Sequence, residues 1–160
     1  MDKLNYLIHS KLQGIQSSLK APKGQTNKFG GYTYRSAEDI LTAVKPLLDQ
    51  WNCTLVITDD VVEVGGRIYV KAMAVLACTE GGEYTIQANG FARESETRKG
   101  MDDSQITGSA SSYARKYALN GLFAIDDTKD ADATNTHGKK PITQTKKTSP
   151  LAHADADFEF

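Results

Sequence analysis

Two glycine pairs, Gly65-Gly66 and Gly81-Gly82, divide residues 53–92 into three β-rich runs and so constrain the centre of the fold. Paired glycines supply the positive φ angles that a two-residue hairpin turn needs to match the twist of its strands. The first run, CTLVITDDVVEV (53–64), is β-branched, and Asp59-Asp60 predicts a bend within it. The second, residues 67–79, alternates. Ile68, Val70, Ala72, Ala74, Leu76 and Cys78 face one way, and Arg67, Tyr69, Lys71, Met73 and Val75 the other. The third, residues 83–92, places Tyr84, Ile86 and Ala88 on one side. Together they predict a three-stranded antiparallel meander.

Helices are expected on both sides of it. Over residues 3–20, Leu4, Leu7, Ile8, Leu12, Ile15 and Leu19 recur at three- and four-residue spacing, which is an amphipathic helix weakened by Gly14 and ended before Pro22. Residues 21–31 (APKGQTNKFGG) form a polar loop. A second helix begins near Ser36, whose hydroxyl can cap it while Asp39 favours its positive end. Its buried stripe is Ile40, Leu41, Val44, Leu47, Leu48 and Trp51, and Pro46 should kink it. The class is α+β: two N-terminal helices, a three-stranded antiparallel meander, then a final helix.

That final helix, within MDDSQITGSASSYARKYALNGLFAIDD (101–127), is poor in apolar bulk. Asp102 can N-cap it, with Gln105 at capping-box spacing. Helical projection groups Ile106, Ala110, Tyr113, Ala114 and Tyr117 on a sheet-packing face, which assigns both tyrosines to the core. The opposite face carries Ser104, Gln105, Gly108, Ser111, Ser112, Arg115 and Lys116. Hydroxyls donate to phosphate oxygens, and Arg and Lys neutralise them. Arg93, Arg98 and Lys99 stand just upstream in FARESETRKG. One reading is a groove for a nucleic-acid backbone. The other is tight subunit packing through Gly108, Ser109 and Ala110, with Arg115 and Lys116 simply solvated.

A length of 160 residues fits one domain with a tail. Residues 128–160 have almost no large apolar side chains before the last three positions, so they are expected to be disordered, with a lysine-rich middle and an acidic-aromatic tip. The formal net charge is -1, so an anion-binding surface must come from local clustering. The two cysteines, Cys53 and Cys78, are expected to be free thiols of a reducing compartment. The amphipathic N-terminus is unlike a signal peptide, and no apolar run approaches a membrane span. A cytoplasmic protein is expected.

The segments YRSAEDILTAVKPLL (34–48) and GFARESETRKGMDDSQITGSASSYARKYALNGLFAIDD (90–127) resemble the essential recombination function (ERF) family of single-strand annealing proteins, carried mainly by bacteriophages and prophages. The resemblance covers roughly residues 5–130, so that 1–127 would be the annealing domain and 128–160 the tail. It implies ATP-independent binding and annealing of single-stranded DNA in a bacterial host cell, assembly of the chain into homo-oligomeric rings or filaments, and a β-β-β-α core with the strand in a positive groove beside the last helix. A phage exonuclease or a host single-strand-binding protein would be further partners. Neither a cofactor nor a metal nor a catalytic residue is implied.

An annealing protein grips phosphates and leaves base edges free. The candidates for that grip are Lys99, Arg115 and Lys116, then Arg93 and Arg98, with Ser111 and Ser112 as donors. Arg35 either joins them or forms an ion pair with Glu38 or Asp39. Lys71 and Arg67 share a hairpin face that could line the groove. Tyr32 and Tyr34 flank the loop, alternate as in a short strand, and are candidates for base stacking or for packing. Two alternatives are open. Glu94, Glu96, Asp102, Asp103, Asp126 and Asp127 could hold Mg²⁺ for a nuclease, although caps and turns also explain them. A passive single-strand-binding protein is suggested by the ending ADADFEF, which is similar to the docking tips of such proteins but lacks their proline. His9, His137 and His153 are scattered, and no phosphate-binding glycine loop occurs.

Overall fold

The computed structural model describes residues 3–27, 30–80 and 84–125, excepting the side chains of residues 3, 4 and 32. The expectations for the tail at 128–160 and for Asp126 and Asp127 lie outside these residues. The order is α1 (Lys3–Ser18), β1 (Gln25–Asn27), β2 (Tyr32–Tyr34), α2 (Ala37–Gln50), β3 (Cys53–Val64), β4 (Arg67–Cys78), β5 (Thr85–Arg93) and α3 (Asp103–Phe123).

The first two helices do not follow one another directly. Residues 21–31, expected as a loop, contribute a strand to a short antiparallel hairpin, with Gln25 opposite Tyr34 and Asn27 opposite Tyr32. The strand at Gln25–Asn27 is too short to leave a period in the sequence. The turn closes through Gly31 N–H on the Asn27 carbonyl at 2.8 Å.

The local start signals hold. Ser36 Oγ accepts from Asp39 N–H while Asp39 accepts from Ser36 N–H, a complete capping box for α2. The helix continues past Pro46 to Gln50. Gly14 in α1 has a packing reason: a Cβ there would lie 2.1 Å from the Trp51 ring, so only glycine lets the indole seat on α1. Ile8, Leu12 and Ile15 of α1 share one core with Ile40 and Val44 of α2 and Phe123 of α3.

β3, β4 and β5 form the meander in that order. β3 pairs without interruption from Cys53 opposite Cys78 to Val64 opposite Arg67, so the bend expected at Asp59-Asp60 is absent. Asp59 instead points to the face covered by α3, where it has partners, and an acidic edge strand is tolerated. Gly65 and Gly66 adopt φ of 60° and 72°, as their turn requires. The second expected turn, at Gly81-Gly82, lies outside the described residues. Cys53 and Cys78 are free thiols.

Val70, Ala72, Ala74 and Leu76 form the inner face of β4 and are buried beneath α3. α3 has the expected capping box between Asp102 and Gln105. It seats through Ile106, Ala110, Ala114 and Ala118, then through Leu119, Leu122 and Phe123. The helix approaches the sheet backbone to backbone. A Cβ on Gly90 of β5 would lie 2.2 Å from the Ala114 carbonyl oxygen and 2.4 Å from Ala118 N. Tyr113 and Tyr117 are therefore not core residues as projected: they are 48% and 46% exposed. With alanine facing alanine and glycine, the gap between helix and sheet is too thin for a ring.

Candidate nucleic-acid interface

The seating of α3 gives the helix two different flanks. On the β3 side, Arg115 Nε donates to both carboxylate oxygens of Asp59, at 3.1 and 2.9 Å, and Ser111 Oγ donates to the same group. On the β5 side lies an open groove of about 310 Å³. It is lined by Phe91, Arg93, Ser95, Arg98, Ser109, Tyr113 and Tyr117, among others. Arg93, Ser95 and Ile106 also line an adjoining depression with Arg67, Glu94, Glu96 and Asp103. The two therefore run together along the edge of β5.

The loop after β5 holds this groove in shape. Glu94 N–H bonds the Ile68 carbonyl at 2.9 Å, and the Glu94 carboxylate accepts from Thr107 Oγ1 on α3. Arg98 reaches Ser109 Oγ at 3.4 Å, and Met101 N–H closes on the Arg98 carbonyl at 3.1 Å. The guanidinium thus lies over the helix flank and beside the tyrosines.

The candidate residues do not form one cluster. Arg93 and Arg98 share the β5-edge groove, and Lys99 is exposed in the loop beyond it. Ser112 is on the solvent side of α3, with Lys116 part-buried one turn on. Ser111 and Arg115 are engaged with Asp59 on the other flank. Lys71 sits directly opposite Phe91 across β4 and β5, with its ammonium 6.0 Å from the ring centroid, a weak cation–π contact. Arg35 is 8% exposed, and its Nε donates to the Ala21 carbonyl, which makes it part of the packing between the first hairpin and α2. Tyr34 is exposed at the first hairpin, and the side chain of Tyr32 is not described.

Charged groups with shifted titration lie elsewhere. Burial draws the Lys11 pKa down, but the hydrogen bond to Glu80 at 3.0 Å and the neighbouring Cys78 outweigh it, and the net shift is upward. Glu80 is held below the usual carboxylate range by Lys11. Burial raises the Cys53 thiol, and the Ser36 backbone N–H lowers Asp39. Of these, the Lys11–Glu80 pair ties α1 to the end of β4, and Asp39 caps α2. Among the described residues, no three His, Cys, Asp or Glu side chains gather as a metal site, and no helix is long and apolar enough to cross a membrane.

A β-β-β-α unit with a cationic, hydroxyl-bearing groove beside its last helix accords with the resemblance drawn from residues 34–48 and 90–127. Residues 8–156 match the family model of the ERF superfamily. The chain belongs to the ERF superfamily. It is also 51% identical over 151 residues to the essential recombination function protein of Salmonella phage P22, covering 92% of this chain and 70% of that protein.

In this ERF-superfamily chain, the residues that sequence reasoning assigned elsewhere are Tyr113 and Tyr117, and those it left out are Phe91, Ser95 and Asp59. Phe91 carries a local signal, since it stands beside Arg93 in a strand whose other face is small. Asp59 carries none, being 56 residues from Arg115.

Proposed function

We propose that this chain is a phage-type recombination protein that binds single-stranded DNA and anneals complementary strands without ATP, working as a homo-oligomer. Membership of the ERF superfamily and likeness to a phage protein named for essential recombination function support a role in DNA recombination. The observation that carries the finer reading is the β5-edge groove, where Arg93 and Arg98 stand with Ser95 and Ser109 in one open channel. Arginine and hydroxyl donors grip phosphates without reading bases, so binding is weakly sequence-dependent and strongly salt-dependent. Lys99 extends the channel, and Lys116 and Ser112 on the exposed side of α3 offer a path for the strand as it leaves. Ser111 and Arg115 are secondary, because a phosphate would have to displace Asp59.

Annealing needs many nucleotides held at once with their pairing edges outward. A row of identical subunits supplies this by repeating a short groove. Exposed Val56 and Val64 on β3, and the β3 edge that pairs with no strand among the described residues, offer a surface for contact between copies.

The test is an annealing assay on complementary oligonucleotides without ATP or divalent metal, comparing wild type with Arg93→Ala/Arg98→Ala. Wild type should accelerate pairing at low salt, and the variant should lose both binding and acceleration. A wild type that binds but slows pairing is a passive single-strand-binding protein. One that cleaves the strands when Mg²⁺ is added is a nuclease.

A further inference from the structure

The groove contains more than a phosphate site requires. Tyr113 and Tyr117 line it while remaining 48% and 46% exposed, and the same helix buries Leu119, Leu122 and Phe123 completely or nearly so. Tyr113 and Tyr117 lie one turn apart on α3, with ring centroids separated by 6.2 Å and planes tilted by 42°. Half-exposed aromatic rings grouped beside arginines are the composition of a surface that accepts flat, charged-backbone ligands.

We propose that Tyr113 and Tyr117 form a base-stacking platform within the DNA groove. Nucleobases of the bound strand lie against the tyrosine rings while Arg93 and Arg98 hold the flanking phosphates. The proposal rests on the single-stranded DNA reading given above and adds the part of the nucleotide that is recognised. The tilt leaves no parallel slot between the two rings, so a base stacks on the outer face of one ring rather than between them. Stacking engages the flat face of the base only. Its Watson–Crick edge stays open to a second strand, which annealing requires.

The position of the platform follows from packing. Gly90 brings the backbone of α3 at Ala114 and Ala118 against β5, so side chains one position before each alanine in the second half of the seat cannot turn inward. Residues 113 and 117 must emerge along the edge of β5, where Arg93 and Arg98 already stand. The charge beside the rings favours a single-stranded nucleic acid over an apolar protein partner.

The experiment uses the full chain and measures fluorescence anisotropy with two labelled oligomers of equal length, oligo-dT and an abasic deoxyribose-phosphate strand. Proteins are wild type, Tyr113→Ala/Tyr117→Ala and Tyr113→Phe/Tyr117→Phe, each checked for folding by thermal melting and for assembly by light scattering. Wild type should bind dT roughly tenfold or more tightly than the abasic strand. The double alanine variant should lose that preference yet keep its affinity for the abasic strand and its salt dependence. The phenylalanine variant should retain the preference, since a ring face suffices.

Equal wild-type affinity for both strands overturns the stacking proposal and leaves phosphate binding intact. Failure of wild type to bind either strand overturns both readings. A phenylalanine variant that behaves like the alanine one refutes stacking in favour of hydroxyl contacts. Loss of assembly in the alanine variant, with both strands weakened equally, assigns the rings to a subunit contact and overturns the proposal.

Discussion

Gly90→Ala is the most exacting perturbation of this fold. The added methyl would meet the Ala114 carbonyl oxygen at 2.2 Å, Ala118 N at 2.4 Å and Tyr117 C at 2.9 Å. All three are backbone atoms, so no side-chain rotation relieves the clash. The helix must retreat by roughly 1 Å, a gap that already forfeits a quarter to a half of each van der Waals contact along its seat. Overpacking of this kind costs about 1–3 kcal/mol. Alanine's conformational advantage over glycine in a strand returns only about 0.5–1 kcal/mol. Because the obstacle is rigid, the cost is taken at the top of its range, and the net loss is about 2–2.5 kcal/mol, or a melting point lowered by about 6–12 °C for a domain of this size. Gly108→Ala is the control: a Cβ there meets nothing within 4 Å, and the site is exposed mid-helix. It should stabilise by about 0.5–1 kcal/mol. Thermal unfolding followed by circular dichroism reads both. A Gly90→Ala protein melting within about 2 °C of wild type would refute the close seating of α3 on β5. The position of the tyrosines would then lose its explanation.

Other expectations follow from the same geometry. Arg98→Ala should flatten the salt dependence of single-stranded DNA binding by about 0.7 in log–log slope, whereas Arg115→Ala should leave it unchanged. An equal effect from Arg115 would place the strand across the outer face of α3 toward β3. Arg115→Ala should also destabilise by at most about 1 kcal/mol, because the Asp59 pair is partly exposed. Leu119→Ala, at a fully buried position, should cost about 2–5 kcal/mol in urea unfolding. The Lys11–Glu80 pair sets a pH window. Glu80 is depressed, so its contribution is present above the usual carboxylate range and is lost as pH falls through its folded value. Lys11 is raised, so its share is present up to the usual lysine range and is lost as pH rises beyond that through its own. Urea midpoints of wild type and Glu80→Gln should differ modestly at neutral pH and converge in acid, since Glu80 is half-exposed.

Much of the fold was legible because its signals are local. The Ser36 cap with Asp39 beside it and the Asp102–Gln105 capping box are rules about residues three apart, and both helix starts occur there, the first as a full box. Gly65-Gly66 and the alternation of Val70, Ala72, Ala74 and Leu76 likewise specify a turn and a face without outside help. Of the first hairpin only the alternation of Tyr32 and Tyr34 was legible, and its partner strand escaped because three residues have no period. Tyr113 and Tyr117 were misplaced for a different reason. Helical projection gives an angle around the axis but not the distance to the neighbouring sheet, and that distance is set by Gly90 in another element. The two roles of α3's polar residues were unreadable for the same reason: Ser111 and Arg115 differ from Ser109 only in which edge of the sheet they meet.

The small residues of α3 thus acquire a purpose that composition alone leaves open. A helix with leucines at positions 110, 114 and 118 would seat as firmly, but several ångströms further from the sheet, and the rings at 113 and 117 would rise with it. Alanine at those positions, with Gly90 facing Ala114 and Ala118, lets the helix and strand backbones approach closely. The floor of the groove is then a strand edge and its wall a helix flank, closely packed on each other. On the far flank, Asp59 ties Arg115 and Ser111 to β3. Under the proposed annealing function a pre-set wall matters, because the protein would hold many nucleotides weakly and release them as a duplex forms. Each groove contributes little free energy, so any part of it spent on ordering the site would be lost from binding. Variants that lift the helix, such as Ala114→Leu, should therefore weaken binding of single-stranded DNA even where the protein still folds and every arginine remains. Anisotropy titration beside a melting curve checks this. Unchanged affinity in a folded Ala114→Leu protein would mean that the strand does not depend on the spacing between α3 and β5.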